Sequence, residues 1–186
     1  MVTRTWGPEI HALYDSVGDD VRFVASFAGL RQAIQARTMV LVSAPAHPND
    51  TLRHIAAVGV PDESLIAYEH HFHHHDVWME AGRHQGLLAP GAVSYSDQLI
   101  PQSELERSYF WQAFLQRYGT TDALSAVIEL PPHAPAMTFI TFHRGPGDPR
   151  FSDAEARQLR AWLPHIATVV RQHRRLAPEL SRGRSL

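Results

Sequence analysis

Two stretches decide the fold of this chain: Leu124-Ser-Ala-Val-Ile-Glu-Leu130 and Met137-Thr-Phe-Ile-Thr-Phe-His143. Both are short, rich in β-branched and aromatic residues, and separated by a proline-containing segment, which predicts two antiparallel strands joined by a long hairpin loop. Side chains alternate along a strand, so Phe139 and Thr141 are expected on one face of the sheet and Ile140 and Phe142 on the other.

The remaining elements follow from periodicity on either side of this hairpin. The apolar run Thr38–Ser43, a turn over 44–50 and the stretch Thr51–Val58 predict a second hairpin, and Ala92–Tyr95 predicts a short fifth strand. Helices are predicted over 8–17, from Asp19 or Asp20 to Ile34, from Asp62 (as N-cap) to His75, over 103–118 and over 152–176. The order ααββαβαββα indicates an α+β fold, with an antiparallel sheet of about five strands flanked by helices.

Details within the helices are also predicted. Val21, Val24 and Phe27 are expected on the buried face of the second helix, and a loop rich in glycine is expected after Met79. In the last helix, Ser152 and Glu155 form the pattern of a capping box, and Pro164 is expected to kink the helix.

The composition excludes several classes of function. The 186 residues include no cysteine, and all 17 basic residues are arginine, so thiolate metal sites, cysteine nucleophiles and lysine chemistry are ruled out. A formal net charge of −2 disfavours a stand-alone nucleic-acid binder. No serine lies in a nucleophile-elbow pattern, so no enzyme is predicted. Without a signal peptide or membrane span, the chain is expected to be cytoplasmic.

Five histidines crowd the stretch Tyr68-Glu-His-His-Phe-His-His-His-Asp-Val-Trp78. On a single helix, His70/His74 and His71/His75 would form two i,i+4 pairs, and such pairs can bind a metal ion or haem iron. The alternative is that the stretch closes one side of a ligand pocket and that its histidines lie at the rim. The second interpretation is favoured, and neither a metal nor a cofactor is predicted.

Several motifs resemble one family. They are Phe151-Ser-Asp-Ala-Glu155, Leu163-Pro-His-Ile-Ala167, His173-Arg-Arg-Leu176, Asp76-Val-Trp78 and Leu99-Ile-Pro-Gln-Ser-Glu-Leu-Glu-Arg-Ser108. These motifs lie between Asp76 and Leu176 and resemble the N-terminal sensory domain of LuxR-type helix-turn-helix transcriptional regulators, which is a GAF/PAS-like domain. The resemblance as a whole covers nearly the entire chain.

The resemblance implies a small-molecule-sensing domain, dimeric through packed N- and C-terminal helices, that controls a DNA-binding domain. Residues 1–177 are expected to form the sensory domain, and residues 178–186 a tail or the start of a linker to a DNA-binding domain that is absent here. The Trp-x-x-x-Tyr pair of acyl-homoserine-lactone receptors is missing ahead of Asp76, which disfavours that ligand.

The expected pocket is lined by aromatic side chains from the middle of the chain, with one carboxylate as a polar anchor or a turn cap. The predicted ligand-binding residues are Tyr68, Phe72, Asp76, Trp78, Tyr109, Phe110, Phe114 and Phe139.

Overall fold

The computed structural model describes residues 7–44, 52–130 and 136–183, with side chains as far as Leu176. Five antiparallel strands form one sheet in the order β2-β1-β5-β4-β3. Their bounds are Thr38–Ala44 (β1), Arg53–Val58 (β2), Val93–Tyr95 (β3), Asp122–Glu129 (β4) and Met137–Arg144 (β5). The α+β class and the five-stranded antiparallel sheet are therefore confirmed. Both predicted hairpin loops, 45–51 and 131–135, lie outside the described residues.

The helices lie on both faces of this sheet. They are Pro8–Asp15 (α1), Asp20–Ala33 (α2), Asp62–His70 (α3), Val77–His84 (α4), Ser96–Leu99 (α5), Gln102–Leu105 (α6) and Asp153–Gly183 (α7), with a 3₁₀ helix at Phe72–His75 and a π-helix at Trp111–Leu115. None of the helices in the described part of the chain combines the length and apolar character that a membrane span requires.

The main hydrophobic core lies between one face of the sheet and the terminal helices α1, α2 and α7. Leu41, Ile140 and Phe142 of the sheet pack there against Phe27 and Ile166, and all five side chains are fully buried. The predicted alternation along β5 is confirmed, because Ile140 and Phe142 enter this core and Phe139 and Thr141 line a cavity on the other face. The predicted packing of the N- and C-terminal helices is also observed, and the Tyr14 hydroxyl lies 2.9 Å from His165 Nδ1.

The predicted buried face of α2 is partly wrong. Val21 is 80% exposed and Val24 lies at the surface, whereas Phe23, outside the predicted stripe, is buried. Asp19 caps the helix by accepting hydrogen bonds from the amides of Val21 and Arg22. From this start, residues 23, 27, 30 and 34 repeat with helical spacing toward the core, so the larger Phe23 takes the buried position.

The single helix predicted from Asp62 to His75 is also wrong. Pro61 is the N-cap, and α3 ends at His70, because His71 leaves the helical region with φ −140° and ψ −58°. A 3₁₀ turn follows, and Asp76 then caps α4, which occupies the first part of the predicted loop after Met79, so that the loop begins only after His84. The predicted i,i+4 histidine pairs on one helix therefore do not form. Gly82 lies inside α4. Leu88 packs so closely against it that little room is left for a side chain at this position.

The helix predicted over 103–118 is broken as well. The short helix α6 ends at Leu105, and a separate π-helix covers Trp111–Leu115. Tyr109, a predicted ligand-binding residue, is 52% exposed. At the start of α7, Glu155 accepts a hydrogen bond from the Ser152 amide, which is the glutamate half of the predicted capping box. The Ser152 hydroxyl donates to the same carboxylate. Helix α7 is continuous through Pro164 and extends to Gly183, beyond the predicted start of the tail at Pro178.

Candidate functional site

A cavity of about 770 Å³, its open mouth included, lies on the sheet face opposite the terminal helices. Its floor is formed by side chains of the three central strands, β1, β5 and β4. These side chains are Thr38, Val40, Val42, Ser125, Phe139, Thr141 and His143. Its walls come mainly from α3, α4 and the π-helix, with Leu65, Tyr68, Trp78, Phe110 and Phe114 among them. Most of its lining is apolar, as is typical of small-molecule sites.

Six of the eight predicted ligand-binding residues line this cavity: Tyr68, Asp76, Trp78, Phe110, Phe114 and Phe139. The other two lie behind the wall. Phe72 packs on Phe114 with ring centroids 4.7 Å apart, and Tyr109 stacks on Phe72 from the solvent side. Phe72 and Tyr109 therefore support the wall from outside the cavity.

Asp76 makes two kinds of hydrogen bond within the wall of the cavity. Its Oδ1 accepts hydrogen bonds from the amides of Trp78 (2.9 Å) and Met79 (3.1 Å), which caps α4. Its Oδ2 accepts a hydrogen bond from the Tyr68 hydroxyl at 2.7 Å. Burial raises the pKa of Asp76, and these three hydrogen bonds oppose that rise. The carboxylate is thus occupied mainly by the protein itself, as a cap and as an anchor for Tyr68.

Tyr68 joins the aromatic side of the cavity to Asp76. Burial, followed by the nearby Asp76 carboxylate, raises the pKa of Tyr68 well above its ordinary value, so this hydroxyl stays protonated as a donor. Its ring centroid lies 5.8 Å from that of Phe114, and Phe114 is nearly parallel to Phe110 at 5.4 Å. Trp78 lies edge-on to Phe110 at 5.9 Å, which completes a connected aromatic wall.

The polar part of the floor is missing from the sequence-based prediction. Thr38 Oγ1 lies 3.0 Å from His143 Nδ1, and the hydroxyls of Ser125 and Thr141 are also 3.0 Å apart. Each pair joins directly opposed residues of neighbouring strands. Burial lowers the pKa of His143 to about 4, with a smaller opposing effect from Asp122. The imidazole is therefore neutral at pH 7.

A second cavity of about 410 Å³ adjoins the first and shares Trp78, Met79, Ser125 and Phe139 with it. Its other walls are mostly aliphatic, with Leu87, Leu88, Leu99 and Val127 among them. Because the two cavities share these side chains, they lie next to each other on the same face of the sheet.

The histidine cluster occupies the outer side of the wall. His71 Nε2 lies 3.1 Å from the Tyr109 hydroxyl, and the rings of His71 and His75 are 4.8 Å apart. Across residues 7–44, 52–130 and 136–183, no three His, Asp or Glu side chains come together as a metal-ion site. The metal or haem alternative therefore gains no support from the described part of the chain.

Behind the floor, α7 is clamped to the ends of β4 and β5. Glu129 is buried and pairs with Arg171 at 3.3 Å and with Arg174 at 3.1 Å. Arg174 also donates to Thr138 Oγ1 at 3.1 Å. Arg171 and Arg174, near the end of α7, are thus ion-paired to the sheet.

No protein-family model matches the sequence, and no curated protein matches it significantly. Solved structures do match its fold. The VqsR ligand-binding domain of Pseudomonas aeruginosa superposes with a TM-score of 0.70 at 10% identity, covering 93% of this chain and 98% of that one. CepR2 of Burkholderia cenocepacia, an N-acylhomoserine lactone-dependent LuxR-family transcription factor, gives 0.62 at 16% identity, covering 91% and 96%.

A GAF domain is among the matches as well. The phycoerythrobilin-bound GAF domain of a cyanobacterial phytochrome gives a TM-score of 0.60 at 12% identity and covers 89% of this chain and 94% of that one. At these identities the likeness concerns the fold. The chain therefore has the GAF-like α+β fold of LuxR-type ligand-binding domains, as its sequence motifs predict.

Proposed function

We propose that this chain is the small-molecule-sensing domain of a LuxR-type transcriptional regulator and is not an enzyme. The observation that carries the proposal is the cavity of about 770 Å³ between an aromatic wall and the sheet. Similar folds carry this role in proteins described as a ligand-binding domain and as an N-acylhomoserine lactone-dependent transcription factor. Of the eight predicted ligand-binding residues, we propose direct contact for the six that line the cavity, with Phe72 and Tyr109 in support.

The proposal includes a route from the cavity to helix α7. Phe139 lines the cavity, whereas the residue before it in β5, Thr138, faces the other side and accepts a hydrogen bond from Arg174. A ligand that displaces Phe139 therefore acts on the strand that holds α7, and it shifts the balance between two positions of that helix. Residues 178–186 would carry this change to a DNA-binding domain beyond this chain.

Binding in the cavity is tested by filling it. Leu65→Trp places a larger side chain into the cavity from α3. We expect it to weaken binding of the uncharged dye Nile red by about tenfold or more, because the tryptophan must be displaced from the cavity, at a cost in free energy, before the dye can bind. Ile66→Trp is the matched control, since Ile66 is 56% exposed on the same helix. Fluorescence titration measures the dissociation constants. Equal binding by both variants would remove the cavity from the proposed function.

The proposal also includes a homodimer through the terminal helices. Apolar side chains remain exposed there on three helices: Tyr14, Val21, Val24 and Leu176. Leu176 of α7 reaches the turn between α1 and α2 at Gly18, so the exposed side chains lie on adjoining elements. Such contiguous apolar surface is typical of protein interfaces.

Light scattering on a sizing column measures this association. We expect twice the mass of one chain for the unmodified protein, and a single-chain mass for Val21→Glu, because a charge buried at the interface lacks a partner. Ile66→Glu, on α3, is the control and should leave the dimer intact. A monomer at micromolar concentration for the unmodified protein would contradict the dimer.

A further inference from the structure

The large cavity is poorly equipped to pair with an anionic ligand. Among the residues that the structure describes, its lining includes no arginine and only two histidines, His54 and His143, and the chain has no lysine. His143 is neutral at pH 7 because burial lowers its pKa to about 4. His54 Nδ1 is already held by Glu69 Oε1 at 2.7 Å. A carboxylate or phosphate would therefore be buried without a counter-charge, which is strongly unfavourable.

Binding of a cationic ligand is also disfavoured. The carboxylate that lines the cavity is Asp76, and its two oxygens already accept three hydrogen bonds from Tyr68, Trp78 and Met79. These donors occupy three of the roughly four acceptor positions of the carboxylate and leave about one for an ammonium group.

Four hydrogen-bonding side chains lie close together on the floor. Thr38 faces His143 and Ser125 faces Thr141 across neighbouring strands, and we refer to these four residues as the polar row. Each hydroxyl has one donor and two acceptor positions, so the two hydrogen bonds inside the row leave positions available for a ligand. The row can therefore bind a hydroxyl or carbonyl group.

The opposite wall favours flat rings. Phe110 and Phe114 lie within 15° of parallel, and Tyr68 is tilted 38° to Phe114. Aromatic side chains interact best with other rings at centroid separations of about 4.5–7 Å, by stacking or by edge contact. A ring held against this wall could direct a polar substituent toward the floor.

We propose that the cavity binds an uncharged aromatic molecule whose hydroxyl or carbonyl group hydrogen-bonds to the polar row. This inference rests on the proposed function, since it names the class of ligand for the same cavity. It goes further in specifying the charge of the ligand and the surface that its polar group contacts.

Three probes with one ring system test the charge: 2-naphthol, 2-naphthoate and protonated 2-(aminomethyl)naphthalene, each in equilibrium dialysis with the full chain at pH 7. We expect 2-naphthol to bind, and both charged probes to bind roughly a hundredfold more weakly. Tighter binding of either charged probe would overturn the inference, and so would the absence of 2-naphthol binding.

A pair of substitutions tests the polar row. Ser125→Ala combined with Thr141→Val removes both hydroxyls without leaving one unpaired, and we expect 2-naphthol to bind about tenfold more weakly. The control is Thr168→Val on α7, which makes the same change outside the cavity. Unchanged affinity in the double variant, with the fold intact by circular dichroism, would overturn the role of the row.

Leu65→Trp separates this inference from the proposed function. If a charged probe binds best and Leu65→Trp blocks it, the cavity remains a ligand site and the inferred ligand class is wrong. If 2-naphthol binds and Leu65→Trp leaves its affinity unchanged, binding occurs elsewhere and both proposals fail.

Discussion

Arg144→Met should lower the free energy of unfolding by about 3–5 kcal/mol, as expected when one partner of a buried ion pair is removed. Arg144 is only 2% exposed. It pairs with Glu155 at the start of α7 and lies 4.1 Å over the ring of Phe151. It also donates to four backbone carbonyls, those of Ile34, Gln35, Pro149 and Arg150. All these groups lose their partner in the variant.

Urea unfolding followed by circular dichroism measures this loss. Arg144→Lys keeps the charge but lacks the planar fork that reaches several carbonyls, so we expect an intermediate loss. Arg107→Met is the control, because Arg107 is exposed, and it should change stability by less than about 0.5 kcal/mol. A loss below about 1 kcal/mol for Arg144→Met would show that the ion pair and carbonyl contacts do not hold α7 to the sheet.

Asp76→Ala should lower the free energy of unfolding by about 2–4 kcal/mol, because it removes the cap of α4 and leaves the Tyr68 hydroxyl without its acceptor. Asp76→Asn should be much milder. An amide oxygen can still cap the helix, the amide nitrogen can donate to the Tyr68 oxygen, and no charge needs to be buried. This contrast agrees with the pKa of Asp76, which burial raises.

Thermal and urea unfolding of both variants decide between these expectations. Asp62→Ala is the matched control, since Asp62 is an exposed acidic residue in the first turn of α3, where no side chain makes a cap bond, and it should cost less than about 1 kcal/mol. Adding Tyr68→Phe to Asp76→Ala should recover part of the loss, because the unpaired hydroxyl is then gone. If Asn proves as damaging as Ala, the carboxylate charge itself is required.

The sequence predicts the sheet well because its strands carry a simple two-residue period. The alternation in β5 is enough to place Phe139 and Thr141 on the face opposite Ile140 and Phe142. The aromatic wall is also predictable, since large rings concentrate in the segments that cover that face. Six of the eight residues chosen on this basis line the cavity.

Other features depend on contacts that a sequence pattern does not encode. One such feature is the end of α3, where His71 leaves helical geometry although neither proline nor glycine marks the position. The polar row requires the register between three strands, which pairs Thr38 with His143 and Ser125 with Thr141. The available signal is that Thr141 and His143 share the floor-facing side of β5 with Phe139, because polar side chains on an otherwise buried strand need hydrogen-bond partners.

The length of α7 has a consequence for the signalling that we propose for this domain. A helix of 31 residues is about 46 Å long at 1.5 Å per residue, and its first turn is held by Glu155 and Arg144. If the ion pairs of Arg171 and Arg174 with Glu129 yield when a ligand binds, the helix would act as a lever arm with its pivot at the first turn. A tilt of about 5° would carry its far end through about 4 Å, which converts a sub-ångström adjustment near the pivot into a displacement comparable to the width of a side chain.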